Sequence, residues 1–323
     1  MLRDRDIDLF RGLAIIGMVF FTLTLKLSAN LPDMLQHNVR GSFHPGDLVL
    51  PMFLFASGLS MPHYLDKVKE RGTLVKSVAG RFILLVAIAI LLSHFSARGL
   101  FEMDEVMLIA LCFLACTALS GFGWKANMGV VVMACILYWA VMNPGWVGVN
   151  WTGAFDGHYL GGYAAVPFYL PVMLVGFLIG RETKNGRVLC KTNLTIIGIV
   201  TALFFLSTLL VPIEKLIASP SFMMISVLSC FAIFVLIHKV RGQIGACNEL
   251  EYIGREPLRY WLMMWAFFLI PMILLAQNSG TAFPLNLDWP LGILITVCAI
   301  LLLWLASRGI DRIIIEKNRL PGP

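Results

Sequence analysis

Of the 323 residues, 59% are hydrophobic and only 14% charged; the mean hydropathy is +0.82 and the net charge +6. A soluble domain needs a far more charged surface, so the soluble classes are excluded and the chain reads as a polytopic membrane protein. The positive charge belongs to topology, because Lys and Arg gather on the cytoplasmic side of membrane proteins. Nucleic-acid binding finds no support, since the basic residues form no stripe.

Apolar stretches of roughly 17–20 residues, each long enough to cross ~30 Å of hydrocarbon, recur from end to end. They predict an all-α transmembrane bundle of about ten spans, over residues 9–27, 47–64, 78–96, 104–121, 127–142, 163–180, 194–211, 221–237, 258–276 and 289–307. The first run is too long for a signal-peptide core and lacks a small-residue cleavage site, so it reads as an uncleaved span. With the N-terminus inside, all 25 Lys and Arg except Lys26, Arg40, Arg98 and Lys215 fall on the cytoplasmic side. That asymmetry predicts an even number of spans and two cytoplasmic termini. A re-entrant or half-length helix would not disturb it, which leaves room for an eleventh segment.

The loop between the fifth and sixth spans, 143–162, is the longest on the extracytoplasmic side. It is rich in Gly and Trp, carries Asp156 and His158, and has no Lys or Arg. Pro167 and Pro171 open the next span and predict a kinked or broken first half. Pro257 suits the first helical turn of the ninth span. Cys112, Cys116, Cys135, Cys230 and Cys298 sit in apolar spans, and Cys190 and Cys247 in cytoplasmic loops. The seven do not look like a disulfide framework, and Cys112 and Cys116, which share a helix face, read as small buried hydrophobes and not as metal ligands. With no repeat, low-complexity tract or linker, residues 1–323 read as a single membrane domain.

The chemistry-bearing residues gather where the second span starts. His37 precedes the polar loop Gly41-Ser42-Phe43-His44-Pro45-Gly46-Asp47, which runs straight into Leu48-Val49-Leu50-Pro51-Met52-Phe53-Leu54-Phe55. A neutral imidazole can take the proton of an amine or hydroxyl as it attacks an acyl group, or carry the acyl group itself. Asp47 can orient and charge-balance His37, as the acid of a triad does, and can equally cap the second span. His44 is a second candidate base. Asp8 and Arg11, three residues apart, share one helix face at the start of the first span and read as a pair inside the bundle or as a cap with a topology-setting Arg. Lys67, Lys69, Arg71, Lys76 and Arg81 read mainly as topology determinants. Arg81, nearest its span, is the candidate for a phosphate contact, because a guanidinium offers a planar fork. The histidines are too scattered to argue for a bound metal, and there is no phosphate-binding Gly-rich loop.

The segment from Asp6 through Asp8, Arg11 and Gly12 to Met18-Val19-Phe20, followed by His37 and by Asp47-Leu48-Val49-Leu50-Pro51, resembles the heparan-alpha-glucosaminide N-acetyltransferase family of transmembrane acyltransferases. That family's pattern is D-x-x-R-G in the first span, a histidine in the first extracytoplasmic loop, then D-L-V-F-P and an aromatic-rich second span. Phe155-Asp156-Gly157-His158 resembles an F-D-P-x-G-x-L element, and Gly254 to Tyr260 a late G-x-N/E-x-L-x-x-Y element. The similarity is strongest over residues 6–60. Thr22 stands where the family often has Asn, and Arg255 where Asn is common in the late element.

The resemblance implies an acetyltransferase of a bacterial inner membrane that takes acetyl-CoA, or a related short acyl-CoA, from the cytoplasm without a metal. It implies an amino sugar or glycan hydroxyl as acceptor on the far side. His37, Asp47 and Thr22 would then be catalytic, with Thr22 near the thioester oxygen. Arg11, Asp8 and Arg81 would lie on the CoA side, and His44, Asp156 and His158 near the acceptor. Lipids are the expected surroundings, and a homo-oligomer is left open. The alternative is a transporter of an amino sugar, which a Pro-broken span would suit; the few intramembrane charges and the lack of an inverted repeat speak against it.

Overall fold

A computed structural model describes residues 5–37, 41–95, 103–142, 162–184, 186–215, 218–240, 247–279 and 287–319. Among them there is no strand, only an isolated bridge between Ser28 and Leu287. The helices are α1 (Arg5–Leu27), α2 (Val49–Glu70), α3 (Leu74–Phe95), α4 (Glu105–Leu119), α5 (Trp124–Met142) and α6 (Val166–Thr183). They continue with α7 (Lys191–Leu210), α8 (Pro220–Val240), α9 (Cys247–Arg255), α10 (Pro257–Met264), α11 (Ile270–Ser279) and α12 (Trp289–Arg319). Joined by the turns that lead into or link them, they supply nine helices long and apolar enough to cross a membrane among the described residues. The protein is an all-α polytopic membrane bundle.

The expected span at 104–121 is helical over only 15 residues. Asp104 caps it, accepting from the Met107 N–H at 2.6 Å. Its other end closes at Ser120, ahead of Gly121 and Gly123. At 1.5 Å per residue such a helix is about 22 Å long, short of the hydrocarbon thickness. Between α8 and α10 lies α9, a nine-residue helix. Its composition is amphipathic, and it is not among the helices long and apolar enough to cross a membrane.

The chain divides into two compact units, one of Met1–Gln36 with Gln243–Pro323 and one of His37–Gly242. In the second, α6 is the central helix: every residue from Phe168 to Gly180 is buried. A helix apolar all round belongs inside a bundle. Its closest neighbour is α2, and glycines set the spacing. A Cβ on Gly58 would lie 2.2 Å from the Met173 carbonyl oxygen, and one on Gly176 2.5 Å from that of Phe55. Small residues let membrane helices approach backbone to backbone. The outer helices α3 and α7 instead expose Ile83, Leu84, Phe205 and Leu209.

The expected kinked or broken first half takes the form of a 3-10 turn followed by a helix that runs on through Pro171. α6 is helical throughout, with Pro167 in its first turn, where no N–H is needed, and the irregular backbone is confined to the 3-10 turn Tyr163–Ala165. Irregularity appears instead in the other unit: a π-turn at Trp265–Leu269 separates α10 from α11 just before Pro271, which has no N–H to give.

In the first unit α1 packs on α9, again through glycine. A Cβ on Gly12 would lie 2.1 Å from the Leu250 carbonyl oxygen, and one on Gly254 1.7 Å from that of Asp8. The glycines of two sequence elements 242 residues apart therefore seat one helix on the other. Polar pairs reinforce this unit: Arg5 meets Glu251 at 2.8 Å, Arg259 meets Asp311 at 2.7 Å, and the Tyr252 hydroxyl donates to Asp311 at 2.6 Å.

Candidate active site

α2 begins out of a 3-10 turn, Pro45–Leu48, in which Asp47 is fully buried. Its side chain does not cap α2. Oδ2 reaches back to accept the His44 backbone N–H at 3.1 Å, which fixes the turn. That leaves Oδ1 for two further partners. Nδ1 of His37 lies 3.1 Å away, and Nζ of Lys215 also 3.1 Å. Nζ and Nδ1 are themselves 2.9 Å apart, so the three atoms form a nearly equilateral triangle.

Burial within it is graded. The Asp47 side chain is 0% exposed, that of Lys215 13%, and that of His37 44%. The carboxylate is thus an internal anchor, and the imidazole sits at the surface of the cluster. The Nδ1 edge of His37 is occupied, and Nε2 meets no hydrogen-bond partner among the described residues.

Lys215 belongs to the connection between α7 and α8. The Gly41 N–H donates to Ile213 O at 2.9 Å, and the Tyr169 hydroxyl of α6 donates to the Lys215 carbonyl at 3.1 Å. Ser221 Oγ holds Pro212 O at 2.9 Å, and Ser219 Oγ accepts the Glu214 N–H at 2.9 Å. Buried Ala218 is held at φ +53°, a conformation costly for a residue with a Cβ. Phe43 packs on Phe222 with ring centroids 5.8 Å apart. The histidine loop and the lysine loop are one tied assembly. Burial pushes the Lys215 ammonium below the ordinary lysine range, and the Asp47 carboxylate pulls it part of the way back.

Of the residues singled out from sequence, His37, Asp47 and His44 come together here. His44 serves through its backbone, while its Nε2 pairs with Ser42 Oγ at 3.0 Å. Thr22 is half-buried on α1, in the other unit, where no described residue meets its hydroxyl. Asp8 and Arg11 pair at 3.2 Å in that same unit. Arg255 pairs with Glu251 one turn back. Asp156 and His158 lie outside the described residues.

Farther along α2 the second unit carries cavities among the described residues, one beside Ser57–Tyr64, about 12–22 Å from the start of the helix at 1.5 Å per residue, and one beside Asp66–Lys69, about 25–30 Å along it. A larger one, about 310 Å³, is lined by Asp66, Lys69, Ser120, Arg181 and Lys184. Lys184 pairs with Asp66, and Arg181 donates to Phe122 O at 3.2 Å. A small one lies among Ser57, Ser60, Tyr64, Arg81 and Phe113. There the Arg81 guanidinium stands over the rings of Tyr64, at 5.1 Å, and Phe113, at 5.3 Å.

The fold is that of an integral membrane protein, an all-α polytopic bundle with a buried Asp, a His and a Lys meeting at the head of one span. The chain belongs to the heparan-alpha-glucosaminide N-acetyltransferase catalytic family, whose model matches residues 3–208. That is a family of transmembrane acetyltransferases. No curated protein matches the chain.

Proposed function

We propose that this protein transfers an acetyl group from acetyl-CoA, taken from the cytoplasmic side of a bacterial inner membrane, to the amine or hydroxyl of a sugar or glycan beyond it. The observation that carries the reading is the His37–Asp47 contact in a member of an acetyltransferase family. With Nδ1–H donated to Asp47, Nε2 holds a lone pair on the exposed edge of the ring. Nε2 takes the acceptor's proton as its N or O attacks the thioester carbonyl. The C–S bond then breaks, and the proton passes to the departing CoA thiolate. An acetyl-His37 intermediate is the two-step form of the same exchange. Thr22 remains the proposed polar contact to the thioester oxygen, and Asp156 and His158 the proposed acceptor contacts.

The donor's phosphates call for cations along α2, away from His37. Arg81 presents its guanidinium beside two serine hydroxyls, and Lys69, Arg181 and Lys184 line the larger cavity. Asp8 with Arg11 is the proposed contribution of α1.

Sealed vesicles test the reading. Acetyl-CoA supplied on the Arg181 side should yield acetylated acceptor on the His37 side, and acetyl-CoA supplied only on the His37 side should yield none. Uptake of free sugar without acetylation would overturn it in favour of transport.

A further inference from the structure

The triangle of Nδ1, Oδ1 and Nζ contains more than the His–Asp pair that a base requires. Lys215 is 168 residues from Asp47, lies beyond the residues matched to the family, and is held in place by contacts of its own backbone and loop. An ammonium has three N–H donors and no lone pair. At 2.9 Å from Nδ1 and 3.1 Å from Oδ1 it can donate to both at once, provided that Nδ1 carries no proton. If Nδ1–H points at Asp47 while Lys215 is charged, two donors confront each other at 2.9 Å beside a single carboxylate oxygen. The two arrangements exclude each other.

We propose that Lys215 is a protonation gate on His37: as an ammonium it bridges Nδ1 and Asp47 and holds the imidazole in its Nε2–H form, and as an amine it lets Nδ1–H turn to Asp47 and frees the Nε2 lone pair. This rests on the acetyl-transfer reading for its consequence, though not for its geometry. Opening the gate moves two protons. Nε2 gives its proton to water, one Nζ proton crosses the 2.9 Å contact to Nδ1, and the cluster has lost one proton in all. Lys215 does not touch substrate in this scheme; it is a positioning residue that acts through His37.

Among the described residues, the head of α2 supplies Asp47 and His44 to the triangle, and the lysine loop supplies Lys215. α6 contributes the Tyr169 hydroxyl, bonded to the Lys215 carbonyl. Glu105, at the start of α4, favours the ammonium through space. Burial works against that charge, so the gate opens at a lower pH than a free lysine would lose its proton. Apparent values belong to the coupled pair and not to either residue.

The test is nitrogen-15 NMR of histidine-labelled protein in nanodiscs, together with pH–rate profiles. In the unmodified protein, His37 should be in the Nε2–H form at neutral pH and pass to the Nδ1–H form as pH rises. In Lys215→Met it should be Nδ1–H wherever it is neutral, and the acid limb of activity should move to lower pH by roughly one unit or more, because one proton fewer has to leave. Lys215→Arg, always charged, should hold the Nε2–H form and lose activity at every pH. Nδ1–H at neutral pH in the unmodified protein would overturn the gate, as would an acid limb that stays put or moves to higher pH in Lys215→Met. The NMR arm requires neither turnover nor a variant, so a failed gate and a failed acetyltransferase reading are told apart.

Discussion

Oδ1 of Asp47, fully enclosed at the head of α2, stands 3.1 Å from Nδ1 of His37, while Oδ2 ties the turn that delivers it by accepting the His44 N–H. One carboxylate therefore both builds the local backbone and orients the imidazole. The two jobs separate on substitution. Asp47→Asn keeps an oxygen for the turn but removes the charge and the tautomer preference. It should leave a folded protein whose acceptor-dependent CoA release falls by roughly 10²–10⁴-fold. Asp47→Ala should also lose about 3–5 kcal/mol of stability, because Lys215 is left buried without its partner. Turnover and thermal unfolding of the purified variants check both statements.

The backbone approach of α2 and α6 gives a second expectation. Gly58→Ala places a methyl 2.2 Å from the Met173 carbonyl oxygen, which neither helix can absorb without moving. Overpacking of this kind costs about 1–3 kcal/mol, and the displaced helix carries Asp47. Gly80→Ala, whose Cβ would meet nothing within 4 Å, should be neutral in the same unfolding assay.

Donor binding can be separated from chemistry with a truncated substrate. Arg81→Met and Lys69→Met should raise the KM for acetyl-CoA about tenfold with little change in kcat. Acetyl-pantetheine, which lacks the nucleotide phosphates, should not distinguish these variants from the parent. Equal losses with both donors would remove the phosphate role.

Glu249 on α9 gives a pH dependence that lies apart from the active cluster. Hydrogen bonds from Arg308, at 2.6 and 2.7 Å, and from Trp304 hold its carboxyl below the ordinary range. A depressed carboxylate contributes stability that is present above its unfolded value, about 4.3 for Glu, and is lost as pH falls through the folded value. Amide exchange in α9 should accelerate below that pH. Glu249→Gln should remove the step, with Arg5–Glu251 and the Gly254 seat still holding the helix.

Much of this was legible before the structure. Hydropathy alone defines the bundle, because each span must bury an apolar length. His37 and Asp47 could be paired because ten residues of loop easily close between them. Lys215 was not legible as a partner, since no pattern links it to a residue 178 positions earlier. A signal existed all the same. It is one of four cations on the sparsely basic side, and a charge that does not serve topology is a candidate for another task. α9 escaped because nine amphipathic residues leave no mark on a hydropathy window sized for spans. Pro167 and Pro171 fall in the first two turns of α6, which stays helical through both, and the irregular backbone lies in the 3-10 turn just before it.

If His37 performs acetyl transfer, CoA release from reconstituted protein, with and without His37→Ala, reports it. With acetyl-CoA and a panel of amino sugars and glycans, the unmodified protein should release CoA only when an acceptor is present. His37→Ala should bind acetyl-CoA equally well and release CoA at least ~10²-fold more slowly. Undiminished release by the variant, or no acetyl-CoA binding by either protein, would contradict the account.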